Sequence, residues 1–200
     1  MISLYDHPLS GNCYKVRLLL SNLGIQYERI TIDIFKGEHK TDRFKKLNPN
    51  LKIPVIVDGD FSMWESNAIL LYLAKKYSPN PFYSEQANAF GLICQWMMFG
   101  KTSIDPNLAV ARFLTRFAND DTRDINHLKR CQETGEGVLK ILDDHLANND
   151  FLVNQYSIAD IACFPYVDVA EEGGVSLSPF PYVRKWCERI YSVPGYVPMY

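Results

Sequence analysis

Between residues 78 and 84 the chain reads Ser-Pro-Asn-Pro-Phe-Tyr-Ser, and the hydrophobic pattern on its two sides differs in kind. Two prolines this close deny the backbone both a helix interior and a central strand, so elements on either side end here. Upstream, short strand-like runs are interleaved with helical spacing; downstream, only helical spacing occurs. A chain broken in this way folds as two parts of different class, and 200 residues suffice for two small domains. The division is placed between residues 1–77 and 85–200.

In the first part, Ile2–Tyr5 reads as a strand. Asn12–Leu23 reads as a helix with Val16, Leu19, Leu20 and Leu23 on one buried face, ended by Gly24. Tyr27–Asp33 alternates like a strand, Thr41–Leu47 is a short helix, and Pro54–Val57 and Phe61–Trp64 are strands joined at Asp58-Gly59-Asp60. Ser66–Tyr77 closes the set as a helix. The order βαβαββα predicts a thioredoxin-like α/β unit. In the second part, Glu85–Phe117 and Thr122–Leu146 are long helices, and Leu128, Cys131, Val138, Leu139, Leu142 and Leu146 form a stripe on the latter. Ser157-Ile158-Ala159-Asp160 has the form of a capping box, and Tyr182–Tyr191 is a last helix. The fold class is a thioredoxin-like N-terminal domain of α+β type followed by an all-α bundle.

Charge and cysteine usage narrow the function. There are 21 Lys+Arg against 23 Asp+Glu with no block of like charges, so no nucleic-acid partner is expected. No run approaches the ~18 apolar residues of a bilayer-spanning helix, and Met1–Asp6 has no leader pattern, so a cytoplasmic protein without membrane contact is expected. Cys13, Cys94, Cys131, Cys163 and Cys187 are scattered, with no C-x-x-C, which argues against both a metal site and a disulfide framework. Residues 1–77 carry 11 Lys+Arg and 8 Asp+Glu, a mild excess that suits a small anionic ligand.

Three places carry candidate chemistry. After the first strand the chain runs His7-Pro8-Leu9-Ser10-Gly11-Asn12-Cys13, which puts a hydroxyl, an amide and a thiol at a helix N-terminus, where an anion is stabilised; Ser10 or Asn12 as a plain N-cap is the alternative. At Trp64-Glu65-Ser66-Asn67 another strand gives way to a helix. There Ser66 suits a carboxylate and Glu65 an ammonium, or else both merely start the helix. Between them lies Asn48-Pro49-Asn50-Leu51-Lys52-Ile53-Pro54. A cis Ile53–Pro54 bond would turn the Ile53 N–H and C=O outward to pair with an extended peptide-like ligand.

Taken together, Ser10-Gly11-Asn12-Cys13, Ile53-Pro54 and Glu65-Ser66-Asn67-Ala68-Ile69, in this order and followed by a helical half, resemble the glutathione transferase superfamily. The likeness spans essentially the whole chain, and Asn48 to Leu73 is its most specific run. It points to the serine-type, theta/delta-like bacterial branch. The resemblance implies that the Ile53 backbone beside Pro54 holds the cysteinyl part of glutathione and that Glu65 and Ser66 hold its γ-glutamyl end. It further implies that His39 and Lys52 contact the glycyl carboxylate, and that Ser10, or Asn12 as in a disulfide-reducing bacterial branch, activates the thiol. Glutathione is then a co-substrate and no metal is required. The implied activity is transfer of an alkyl or aryl group to glutathione, of the kind used in detoxification.

The sequence departs from some serine-type relatives at Leu51, where they have histidine, and at Asn67, where they have arginine. Tyr5 lies within a strand, which suits a structural role, and Cys13 falls one turn into the helix, facing the core. An electrophilic co-substrate is expected between the domains, with Trp96, Phe99, Arg112 and Phe113 as candidates, and the resemblance implies a homodimer. Two other readings stay open: a glutathione-dependent disulfide reductase using Asn12 or Cys13, and a non-catalytic interaction module of the same fold.

Overall fold

The computed structural model describes residues 1–200. It contains two compact units, Met1–Asn80 together with Val193–Tyr200, and Pro81–Ser192. The chain's last residues therefore belong with the first unit, whereas the sequence division at residue 85 assigns them to the helical part. The cause is specific hydrogen bonding: Tyr14 Oη donates to Val197 O at 2.7 Å and Asn22 Nδ2 to Pro194 O at 3.0 Å.

The first unit runs β1 (Ile2–Asp6), α1 (Gly11–Asn22), β2 (Tyr27–Thr31), a 3-10 turn (Glu38–Lys40), α2 (Asp42–Leu47), β3 (Val55–Asp58), β4 (Phe61–Trp64) and α3 (Ser66–Lys76). The sheet order is β2-β1-β3-β4. β1 and β2 are parallel, which requires a crossover, and α1 supplies it; β3 is antiparallel to both β1 and β4. The β3–β4 hairpin turns on Gly59, whose φ of +64° suits a residue without a Cβ.

Leu4 of β1 pairs with Ile56 of β3 and both are fully buried. The pleat turns the neighbouring pair, Tyr5 and Val55, to the opposite face. There α2 delivers Phe44 to a cluster with Ile32 and Val55, and the Tyr5 ring stands edge-on to Phe44 with centroids 6.0 Å apart. α1 and α3 pack on each other and are the helices left to cover the Leu4 face. α1 is more deeply embedded than its one-stripe pattern suggests: Leu18 is as buried as Val16, Leu19 and Leu20. It ends as its glycine requires, with Gly24 at φ +67° and Ile25 N donating to Leu20 O at 2.9 Å.

The second unit holds α4 (Ala87–Phe99), α5 (Val110–Arg116), α6 (Ile125–Leu146), α7 (Ile158–Asp168) and α8 (Pro181–Tyr191). The single helix expected over 85–117 is interrupted between α4 and α5 by a π-helical stretch, Gly100–Ala109, that contains Pro106. Proline has no N–H to give the ladder, and a π register is one way a helix absorbs such a fault. Gly100 lets α7 approach closely: a Cβ there would meet Cys163 Sγ at 3.1 Å and Ala162 O at 3.4 Å.

α7 begins with the capping box read in the sequence, in which Ser157 Oγ accepts from Ala159 N at 3.2 Å and Ser157 N donates to Asp160 Oδ2 at 2.9 Å. Asp160 is fully buried. Its Oδ1 also accepts from Leu152 N and Trp186 Nε1, each at 2.9 Å, so one carboxylate fixes α7, the loop before it and α8. α8 has no side-chain cap of its own. Asp143 of α6 serves instead, its Oδ1 accepting from Tyr182 N at 2.8 Å and Val183 N at 3.0 Å.

Candidate active site

Ser10 is the N-cap of α1: φ −84° and ψ 115° hold it extended, and its Oγ accepts from Cys13 N at 3.2 Å. The Gly11 and Asn12 amides lie in the first turn, where no intrahelical acceptor exists. Accepting one bond leaves the Ser10 hydroxyl hydrogen free to be donated.

Ser66 begins α3, and its hydroxyl donates to Asn12 Oδ1 at 3.1 Å. Ser66 is 4% exposed and Asn12 half-buried, so this bond is largely shielded from water. The two anion-favouring sites that are separate in sequence are thus one constellation, built where the N-termini of α1 and α3 converge. Glu65, the residue before α3, has φ +70°. That region costs a non-glycine residue about 1–3 kcal/mol and is held only where the surroundings demand it.

The loop before β3 is fixed by Asn48, which is 2% exposed. Its Nδ2 donates to Lys52 O at 2.6 Å and its Oδ1 accepts from Asn50 N at 2.8 Å. This positioning role is absent from the sequence reading, although Asn-Pro-Asn is a recognisable signal for such a side-chain-closed turn. The Ile53–Pro54 bond is cis, and Ile53 packs at the edge of the Phe44 cluster. Lys52 is exposed.

His39 lies in the 3-10 turn, half-buried, and its buried Nδ1 makes no hydrogen bond. Burial first, and the neighbouring Lys40 second, push its pKa below the ordinary histidine value, favouring a neutral ring. Neither His39 nor Lys52 is hydrogen-bonded to Asn12 or Ser66; each sits on its own segment.

Cys13 is fully buried. Burial, reinforced by Asp6, drives its pKa far above the ordinary thiol value, so the residue is held as a thiol despite its place at a helix start. Tyr5 points its ring into the Phe44 cluster.

On the helical unit, Trp96 is 7% exposed and packs on Phe99 and His145, with ring centroids 5.3 and 4.7 Å away. Arg112 is 3% exposed; its Nε donates to Glu172 Oε2 at 2.6 Å and its guanidinium lies over the Phe117 ring. Burial pushes Glu172 up, but hydrogen bonds from Arg112 and Arg116 outweigh it and hold the carboxyl below its usual range. The charge of Arg112 is therefore matched inside the helical unit. Phe113, at 52% exposure, is the open one of the four.

Residues 1–75 match the model of the glutathione S-transferase N-terminal domain and residues 107–194 that of the C-terminal domain. The disulfide-bond oxidoreductase YfcG of Escherichia coli K12 is 33% identical over 98% of this chain and 92% of its own. The chain belongs to the glutathione S-transferase family. Among solved structures, a glutathione S-transferase from Pseudomonas fluorescens Pf-5 is 37% identical and superposes with a TM-score of 0.93, covering 99% of this chain and 98% of that one. A glutathione transferase from Burkholderia graminis, 31% identical with a TM-score of 0.87 over 97% of this chain and 85% of its own, was solved with two glutathione molecules bound per subunit. The thioredoxin-like unit and the helical unit are this family's N- and C-terminal domains.

Proposed function

We propose that this glutathione S-transferase family member binds glutathione across the converging starts of α1 and α3 and, as the serine-type branch does, activates its thiol with Ser10. The observation that carries the reading is the Ser66 Oγ to Asn12 Oδ1 hydrogen bond, because it makes one site of two helix N-termini, both of which favour negative charge. The γ-glutamyl carboxylate is assigned to Ser66 and its ammonium to Glu65, the cysteinyl backbone to Ile53 beside Pro54, and the glycyl carboxylate to Lys52 with His39. A neutral His39 contributes a hydrogen bond there and Lys52 the charge.

In the reaction, the glutathione thiol loses its proton to solvent and Ser10 donates its hydroxyl hydrogen to the resulting thiolate. A free thiol of pKa ~8.5 is only a few per cent ionised at pH 7, and each unit of depression requires about 1.4 kcal/mol. One hydrogen bond to a charged sulfur, at about 1.5–3 kcal/mol, is sufficient. The sulfur lone pair then forms a C–S bond to an electrophilic carbon, whose leaving group departs with the electrons of the broken bond. Phe99 and Phe113 are assigned to the apolar body of that alkyl or aryl electrophile, with Trp96, which packs on Phe99, and Arg112 as further candidates. The family resemblance extends the proposal to a cytoplasmic homodimer with a detoxifying role.

A second reading, glutathione-dependent disulfide reduction with Asn12 in place of Ser10 as the sulfur's partner, is supported by the name of the Escherichia coli relative. The deciding experiment is an ultraviolet pH titration of glutathione thiolate with excess protein. A midpoint well below that of free glutathione, abolished in Ser10→Ala and retained in Asn12→Ala, supports conjugation through Ser10. The reverse pattern transfers the role to Asn12, and absence of binding leaves an interaction module.

A further inference from the structure

Asp6, at the end of β1, is fully buried, and its two oxygens take two guanidiniums: Arg17 Nη1 donates to Oδ1 at 2.5 Å, and Arg29 Nε to Oδ2. Arg17 is itself 5% exposed. Its Nη1 also donates to His7 O at 3.4 Å, and its Nη2 donates to Pro8 O at 3.1 Å and to Met199 O at 2.8 Å. Every hydrogen on the two Nη atoms thus has an acceptor: a carboxylate, two carbonyls of the loop leading to Ser10, and one carbonyl of the C-terminal strap. The His7 carbonyl is shared, since Ser10 N donates to it at 3.0 Å. A single oxygen atom separates the Arg17 guanidinium from the Ser10 backbone.

The strap is secured independently of Arg17. Tyr14, one turn before it in α1, is fully buried and donates to Val197 O, while the Arg17 guanidinium lies 5.5 Å from the Tyr14 ring centre. The result is a clamp in which Asp6 fixes one edge of the guanidinium, the strap carbonyl of Met199 fixes the other, and the remaining hydrogens hold His7 and Pro8.

We propose that Arg17 is a positioning residue for Ser10 and that the strap Val193–Tyr200 is part of the thiol-activating device rather than a passive tail. The inference rests on the reading of Ser10 as the donor to the glutathione sulfur. A lysine cannot substitute, because one ammonium on a flexible stem cannot span acceptors that a planar guanidinium meets together.

Two variants test it: Arg17→Lys, and a chain ended after Val197, which removes the Met199 carbonyl while keeping Arg17, Asp6 and the Tyr14 anchor. The second covers the case in which the first does not fold. Two readouts are needed, amide hydrogen exchange at Ser10 and Cys13 without ligand, and the thiolate midpoint of bound glutathione. In variants whose circular dichroism matches the parent, exchange at both amides is expected to quicken by about tenfold or more. The midpoint is expected to rise by about half a unit to one unit toward free glutathione while the dissociation constant changes by less than about threefold. Unaltered exchange, or an unaltered midpoint against a depressed parent midpoint, overturns the proposal alone. A parent midpoint equal to that of free glutathione removes the Ser10 reading and this inference with it.

Discussion

Ser66 and Asn12, 54 positions apart in sequence, meet in a hydrogen bond of 3.1 Å from hydroxyl to amide oxygen. Its shielded position makes the two residues energetically coupled. In a double-mutant cycle of Asn12→Ala and Ser66→Ala, the coupling in glutathione binding free energy is expected to be about 0.5–1.5 kcal/mol by isothermal calorimetry. Strict additivity would mean that the ligand replaces this bond on both sides.

Ser10 serves the fold as well as the proposed chemistry, since its Oγ caps α1 through Cys13 N. Ser10→Ala should therefore lose about 0.5–2 kcal/mol of unfolding free energy in urea. Ser10→Thr retains a capping hydroxyl and should recover most of it. A fully stable alanine variant would show that the cap is redundant.

Asp160 provides a pH signature. Burial raises its carboxyl from 3.8 to about 6, against hydrogen bonds from Leu152, Trp186 and Ser157 that pull it down. The native state then binds more protons than the unfolded chain between these values. The stabilising contribution is full below the unfolded value and is lost as pH rises through about 6. Relative to Asp160→Asn, the parent should gain about 1 kcal/mol on going from pH 7 to pH 5, read from urea unfolding at the two pH values. A pH-independent difference contradicts this.

Asp143 caps α8 from α6, accepting from two successive amides. Asp143→Ala leaves both without an acceptor at the positive end of the helix, and a loss of about 2 kcal/mol in chemical unfolding is expected. Asp143→Asn, which keeps an oxygen and discards the charge, should lie between the two.

Gly195 lets the strap cross α1. With φ at +80° and a Cβ that would lie 2.9 Å from Asn22 Cα and Ser21 O, Gly195→Ala cannot be accommodated in place. Destabilisation above about 1 kcal/mol is expected from thermal or urea unfolding. An alanine variant of parental stability would show that the strap shifts freely.

The order of elements in the first unit was legible because its strands and helices announce themselves locally, through alternation in Tyr27–Asp33, Gly24 after an apolar helix and Asp58-Gly59-Asp60 between two short strands; the hydroxyl-x-x-acid start at Ser157 does the same in the second unit. The same holds for the position of Ser10 at the start of α1, the cis Ile53–Pro54 bond and the position of Ser66 at the start of α3. Less legible were features in which a residue's role is set by a distant partner. Arg112 reads as out of place in a helix core until Glu172 is seen against it. The π stretch at Gly100–Ala109 keeps an ordinary helical pattern in sequence.

By itself the sequence determined the two-part architecture, the sheet-forming order of the first unit and the capping box of α7, since periodicity and capping depend on residues within a turn or two of one another. Only the tertiary structure decided that Ser66 meets Asn12, that Asp143 caps α8, and that the strap and Asp6 clamp Arg17 behind Ser10. Each of these is a buried polar group seeking a partner after water has been excluded. Which partner it finds depends on how the elements pack, and that choice leaves no periodic trace along the chain.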